Sequence, residues 1–444
     1  MSIRAALAVL AILAVARADR AQLVELSIPP LSTEPALSGW LTPHFACWDP
    51  ALAPRDELFV FLHGLDGSPG ACKNLIRTAA RAGYRAVGIT YPCSWVPFQF
   101  CNTSADPDCY ENLRLEIFDG VDHSPWIAVP SADSIENRLA KLLAHLQTTA
   151  PEQNWSSFLD GGTTAWSRVV LYGHSQGGTN AAVIARHRVV ARAILSAPPA
   201  DASQALGGYA PWWSTHATPS ASYFGFVHAQ DALSTKLAVW SLLGMAPFGP
   251  AYDVATVGAP FSFTHQLQTT LAPALAGQYH NSVATDATTP LGAGGKPVYE
   301  PVWRHLISGG EHVLTPQLGA DKASLSVAAG GAVHWSLNAG SQHAGHAYWI
   351  AGSLSGVAPG LDLGAVHLPL NVDAWTLVTV TQPNQGPFGA TLGVLDALGR
   401  AGATLSLPPL SDPSLVGVQA NHAYVVLDAW TPVAASNAQT LVLN

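Results

Sequence analysis

Charge is scarce in this chain: only 11% of its 444 residues are Asp, Glu, Lys or Arg, against 48% that are hydrophobic. The 20 basic residues are outnumbered by 29 acidic ones, so the surface offers nothing to nucleic acid or to anionic lipid. Long apolar runs are missing as well. Beyond the first 18 residues no stretch is long and uninterrupted enough to span a bilayer, and the hydrophobic excess reads as a large soluble core. Cofactor signatures are also absent: without G-x-G-x-x-G, a Walker loop or H-E-x-x-H, neither a cofactor nor a metal is expected. Cysteine is scarce and unevenly placed, since Cys47, Cys72, Cys93, Cys101 and Cys109 all fall in the first quarter.

Met1 to Ala18 reads as a cleaved export leader. Arg4 supplies the positive start, Ala5 to Val15 a short apolar run and Ala16-Arg17-Ala18 the cleavage signal. The run is well short of the ~20 residues of a membrane span, so the mature protein is expected to be secreted and to begin near Asp19. Outside the cell the cysteines supply one or two disulfides with at least one thiol left over. Cys101 and Cys109 bracket a Pro/Asp-rich loop and make the best pair, while the connectivity of the others stays open. A chain of 444 residues exceeds the ~250–300 at which single cores stop growing, so more than one domain is expected.

The densest pattern is S-R-V-V-L-Y-G-H-S-Q-G-G-T-N-A-A, from Ser167 to Ala182. Val169 to Tyr172 is an apolar, β-branched run that reads as a strand buried on both faces. Gly173-His174-Ser175-Gln176-Gly177 breaks it, and small residues then open a helix. This is a G-x-S-x-G nucleophile elbow, in which glycines at both flanks remove the Cβ atoms that would clash in so tight a turn. Here the sequence resembles the α/β-hydrolase superfamily, mostly serine esterases and lipases. The resemblance covers about Leu41 to Ser308 and implies an α/β fold with a doubly wound, mostly parallel sheet.

Upstream, Leu58 to Leu62 is a buried strand followed by His63-Gly64-Leu65-Asp66-Gly67, an H-G-x-x-G turn that resembles the superfamily's oxyanion loop. A tetrahedral acyl intermediate needs preorganised N–H donors, and the resemblance assigns them to the backbone of Leu65 and Gln176. Asp66 departs from the pattern, because a carboxylate directed inward would repel the oxyanion. A serine nucleophile also needs a base, and the base needs an orienting carboxylate. In this superfamily they follow in the chain order Ser, Asp/Glu, His. Tyr223 to His228 reads as a strand delivering Asp231, and Ser262 to Thr269 as a further strand with His280 in the loop beyond. Ser175, Asp231 and His280 are therefore the candidate catalytic residues. Asp201, at the end of the strand spanning 191–197, is the alternative acid. His174, His265, His305 and His312 are read as structural or boundary residues.

Several other stretches carry expectations. The segment between Pro92 and Pro130 shows no regular period before Leu113, and its Trp95, Phe98, Phe100 and Trp126 are candidates for an acyl-pocket wall. Asp133 and Glu136 fit a capping box that opens a helix carrying Ile135, Leu139, Leu142, Leu143 and Leu146. Ser308 to Gly319 reads as a linker. From Ala323 the chain becomes a series of short alternating segments, including V-H-L-P-L, W-T-L-V-T-V and A-T-L-S-L, divided by Gly, Pro and Asn. Such spacing describes an antiparallel β-sandwich of eight or nine strands. The A-Y-W-I-A-G-S-L-S-G-V-A-P-G and N-H-A-Y-V-V-L-D stretches resemble a Gly/Leu-rich C-terminal module of exported bacterial proteins. His343 and His346 form the one metal-like pair and read as a turn. The expected division is a leader at 1–18, an α/β-hydrolase domain at 19–310 and a sandwich domain at 320–444. The expected substrate is an ester, small or polymeric. The competing expectations are a polyester depolymerase anchored by its tail, and a surface-binding protein on an inactive hydrolase scaffold.

Overall fold

In the computed structural model the described residues are 23–233, 237–309, 316–340, 343–364, 366–396 and 399–444; the leader and His312 lie outside them. Runs such as Leu58-Phe59-Val60-Phe61-Leu62 have no polar face, and this dictates their place. Leu58, Val60 and Leu62 join one apolar cluster while Phe59 and Phe61 join another, because successive side chains of a strand point to opposite faces. A strand apolar on both faces belongs in the middle of a sheet covered on both sides.

That sheet has nine strands: β1 Val24–Ile28, β2 His44–Trp48, β3 Leu58–Leu62, β4 Arg85–Ile89, β5 Val169–His174, β6 Arg192–Ser196, β7 Tyr223–His228, β8 Tyr252–Asp253 and β9 Gln266–Thr269. Their spatial order is β1-β2-β4-β3-β5-β6-β7-β9-β8. The β1/β2 and β2/β4 pairs are antiparallel and the rest parallel. One face is covered by α3 (Cys109–Asp119), α4 (Ile135–Thr149) and α5 (Gln176–His187), and the other by α1 (Lys73–Ala80) and α8 (Glu300–Ser308). This is an α/β architecture. The chain winds outward from β3 to β4 and then, in the other direction, from β5. The strand ends between β3 and β5 form the switch point at which open α/β sheets bind ligands.

Local differences from the sequence reading have physical causes. A short helix α2 (Pro97–Cys101) and α3 lie within the stretch that lacked a period, joined by the Cys101–Cys109 disulfide. The α3 signal is masked because Glu111, Arg114 and Glu116 occupy buried positions, each with partners. Helix α4 is capped by Ser134, which accepts from the Asn137 N–H, and not by an Asp133/Glu136 box. Asp133 is instead buried in a salt bridge with Arg138. The strand read over Ser262–Thr269 is limited to β9; Phe261–Phe263 forms a turn with positive φ at all three residues. Cys47, Cys72 and Cys93 are free and buried.

Beyond α8, strand β10 (Gln317–Ala320) already occupies the end of the stretch read as a linker. It is followed by β11 Ser324–Leu325, β12 Gly331–Asn338, β13 Ala347–Ser353, β14 Leu361–Leu363 and β15 Val366–Leu368. Then come α9 Ala374–Thr381, β16 Phe388–Gly389, β17 Leu392–Val394, β18 Arg400–Leu407, β19 Gln419–Asp428, β20 Thr431–Ala435 and β21 Gln439–Leu443. A four-stranded sheet runs β10-β12-β18-β16, and a six-stranded one runs β11-β21-β19-β13-β17 with β20 on β19. Both line one apolar cluster. The β11/β21 pair is parallel, so the tail is not wholly antiparallel. W-T-L-V-T-V is a helix, not a strand. Asp373 caps α9 through a capping box with Thr376, and Trp375 and Val378, three residues apart, pack on the core. Every buried residue of the two clusters flanking the large sheet precedes Ser308, and every one of the two tail clusters follows Gln317.

Candidate active site

Ser175 sits between β5 and α5 with φ 55° and ψ −126°, in the left-handed region that L-residues seldom adopt. Its environment over-determines this conformation. The Ser175 N–H donates to the Ser196 carbonyl at 2.9 Å. A Cβ on Gly173 would lie 2.0 Å from the Gly177 carbonyl oxygen, and one on Gly177 would lie 2.3 Å from that of Leu62. Only glycines let helix and strand approach this closely.

Three side chains meet above the C-terminal ends of the parallel strands. The Ser175 hydroxyl lies 2.7 Å from His280 Nε2, and His280 Nδ1 lies 2.8 Å from Asp231 Oδ2. Asp231 follows β7, α6 spans Leu237–Leu242, and His280 belongs to α7 (Tyr279–Ser282), beyond β9. A carboxylate only accepts, so the Nδ1 proton faces Asp231 and Nε2 accepts from the serine O–H. Asp231 is held by the Leu233 N–H on Oδ1 and its side chain is 1% exposed, whereas the His280 side chain is 15% exposed. The arrangement can pass a proton from a hydroxyl to an imidazole whose resulting charge faces a buried carboxylate.

The His63–Gly67 turn runs directly against the serine: a Cβ on Gly64 would be 2.9 Å from Ser175 Cβ. The Leu65 and Gln176 N–H groups have no hydrogen-bond acceptor among the described residues. Gln176 opens α5, whose N-terminal dipole favours negative charge there. Asp66 is exposed, and its N–H donates to the Cys93 carbonyl at 2.8 Å.

The other candidates make different contacts. Asp201 pairs with Arg114 at 2.6 Å, both side chains at most 2% exposed, and does not reach His280. His265 precedes β9 and is stacked between Phe224 and Phe248; His305 is buried, with Nε2 donating to the Thr264 carbonyl. His174 packs under the site and its Nε2–H donates to the His280 carbonyl at 3.1 Å. Burial, reinforced by the neighbouring His280, pushes the His174 pKa down to about 3. Trp95 packs on Trp40 and Phe100 on Trp126, with Phe98 and Trp126 exposed. Among the described residues no group of three or more His, Cys, Asp or Glu side chains could hold a metal, and no helix is long and apolar enough to cross a membrane. His343 and His346 face each other through their Nδ1 atoms at 3.3 Å.

Sequence reasoning missed Tyr91, Asn180 and Arg114, which form a buried chain behind the turn. The one available signal was a charged residue at a core position of α3.

No family model matches the chain, and no curated protein matches it. Among solved structures it is similar to one described as a dienelactone hydrolase from Klebsiella pneumoniae subsp. pneumoniae, at 13% identity and a TM-score of 0.27, over 56% of this chain and 85% of that one.

Proposed function

We propose that this chain is an exported serine hydrolase that cleaves carboxylic esters. The observation that carries the reading is the Ser175–His280–Asp231 hydrogen-bonded series, with a strained serine at the switch point of an α/β sheet. Ser175 Oγ attacks the ester carbonyl while His280 Nε2 takes its proton. Asp231 holds the imidazole tautomer and stabilises the imidazolium. The amides of Leu65 and Gln176, which have no other acceptor among the described residues, receive the oxyanion. His280 returns the proton to the leaving alkoxide, and water, activated by the same imidazole, releases the acid from Ser175. The Cys101–Cys109 disulfide supports an oxidising destination. Turnover of p-nitrophenyl acetate and butyrate by the purified protein, lost in Ser175→Ala, tests this reading; equal turnover by the variant would sink it.

A second reading, a polyester depolymerase with residues 320–444 as an anchoring β-sandwich domain, draws on one feature of the tail. A cavity of about 610 Å³ there is lined by Trp375, Leu405, Leu407, Leu415, Leu441 and Leu443 among others, with no charged side chain. Leu354, Leu410 and Val416 are exposed on the same tail. On this reading, removing residues after Gly309 weakens adsorption to polyester film. Equal adsorption of the full and shortened chains would reject it.

A further inference from the structure

We propose that Tyr91 is a positioning residue for the His63–Gly67 turn, its hydroxyl aimed by a one-way chain of buried hydrogen bonds that begins at Arg114. The inference rests on reading that turn as the oxyanion loop. A guanidinium can only donate. Arg114 gives Nε–H and an Nη2–H to the two oxygens of Asp201, at 2.6 and 2.7 Å, and an Nη1–H to Asn180 Oδ1 at 2.8 Å. With its amide oxygen turned to Arg114, Asn180 presents Nδ2 to the Tyr91 hydroxyl at 3.3 Å. The tyrosine oxygen therefore accepts, and its proton passes to the His63 carbonyl 2.6 Å away. Reversing any member would set two donors face to face.

The His63 carbonyl begins the turn, and its peptide plane leads into the Leu65 amide. The same segment also holds the far side, where the Cys93 carbonyl accepts from the Asp66 N–H at 2.8 Å. The His63 ring lies over the Tyr91 ring with centroids 4.5 Å apart. Burial raises the Tyr91 pKa well above 10, so the donor keeps its proton wherever a histidine base works. Arg114, Asn180, Tyr91 and Asp201 are all buried. Apolar side chains of similar volume would serve stability as well as a buried ion pair does; what they could not do is orient a carbonyl.

The test uses Tyr91→Phe and Asn180→Asp in the full chain. The first deletes the proton. The second keeps the volume, and the introduced carboxylate accepts from both Arg114 and Tyr91, turning the tyrosine proton away from His63. Both variants are expected to lower kcat for p-nitrophenyl butyrate by about ten- to a hundred-fold, with KM changed by less than about threefold. Affinity for a trifluoromethyl ketone, whose adduct carries the oxyanion, should weaken in step with kcat/KM. If Tyr91→Phe fails to fold, Asn180→Asp carries the test. Wild-type kcat in Asn180→Asp would overturn the inference alone, provided that turnover still depends on Ser175. Turnover that survives Ser175→Ala would overturn the hydrolase reading and the inference together.

Discussion

Gly177→Ala probes the contact on which the elbow depends. A methyl at this position would lie 2.3 Å from the Leu62 carbonyl oxygen and 2.5 Å from that of His63. Both are backbone atoms and cannot rotate aside. Restoring an ordinary contact requires α5 and the end of β3 to separate by about 1 Å in an interior packed at crystal density. Overpacking of this kind costs about 1–3 kcal/mol. The catalytic cost should be larger, because the displaced atoms begin the turn that carries Leu65, and a misplacement of about 1 Å can lower turnover about a hundredfold. Gly178→Ala is the control on the same helix: its methyl would meet the Gly173 oxygen at 3.1 Å and Pro198 Cβ at 3.2 Å, contacts that relax by tenths of an ångström. The assay is kcat on p-nitrophenyl butyrate beside thermal unfolding for both variants. Gly177→Ala within threefold of wild-type kcat would refute the reasoning, as would equal losses in the two variants.

Asp231→Asn should leave the fold intact and lower turnover by a factor of order 10⁴, since the amide favours the wrong imidazole tautomer. Asp201→Asn should act through stability, costing about 3–5 kcal/mol by stranding the buried Arg114 charge; urea denaturation and kcat separate the two, and the reverse pattern would reassign the acid. Stability should fall with acidification: burial depresses His44, His174, His265 and His422 to about 3 and His63 and His305 to about 4 from 6.5. Their contribution is complete above about 6.5, where both states are neutral, and is lost progressively as pH drops toward 3–4 and only the unfolded state takes up protons. A melting temperature unchanged between pH 7.5 and 5 would contradict this. A chain ending at Gly309 should fold and retain soluble-ester turnover within about threefold, because its two apolar clusters share no buried residue with those of the tail. Loss of turnover in a folded shortened chain would show that the tail completes the site.

The parallel strands β3 to β7 were legible because they are buried on both faces, whereas β1, β2 and β8 were not read from the sequence. Short runs rich in β-branched and aromatic residues, such as Leu58-Phe59-Val60-Phe61-Leu62 and Val169-Val170-Leu171-Tyr172, suit a covered parallel strand. The elbow was legible for a steric reason, since Gly173 and Gly177 stand where the backbone leaves no room for a methyl. Helix α3 was hidden because its buried positions include Glu111 and Arg114, whose partners lie on distant segments, and Glu116, whose partners are backbone N–H groups of the following loop. The Trp375–Val380 stretch is rich in β-branched Thr and Val and so imitates a strand; the capping box at Asp373 and the i, i+3 contact of Trp375 and Val378 with the core decide for helix. At the site, chain order singled out Ser175, Asp231 and His280, which lie within hydrogen-bonding distance of one another in series. Tyr91, Asn180 and Arg114 could not be found that way, because a buried tyrosine reads as core until its hydroxyl's partner is seen.

The most direct test of the central claim is to treat the folded protein with a fluorophosphonate and map the adduct by peptide mass spectrometry. Activation of one serine hydroxyl by His280 should give a single modified residue, Ser175, with loss of ester turnover in proportion to labelling. Labelling should slow by several orders of magnitude in His280→Ala. Modification of a different serine, or an equal labelling rate without His280, would contradict the assignment of Ser175 as the nucleophile.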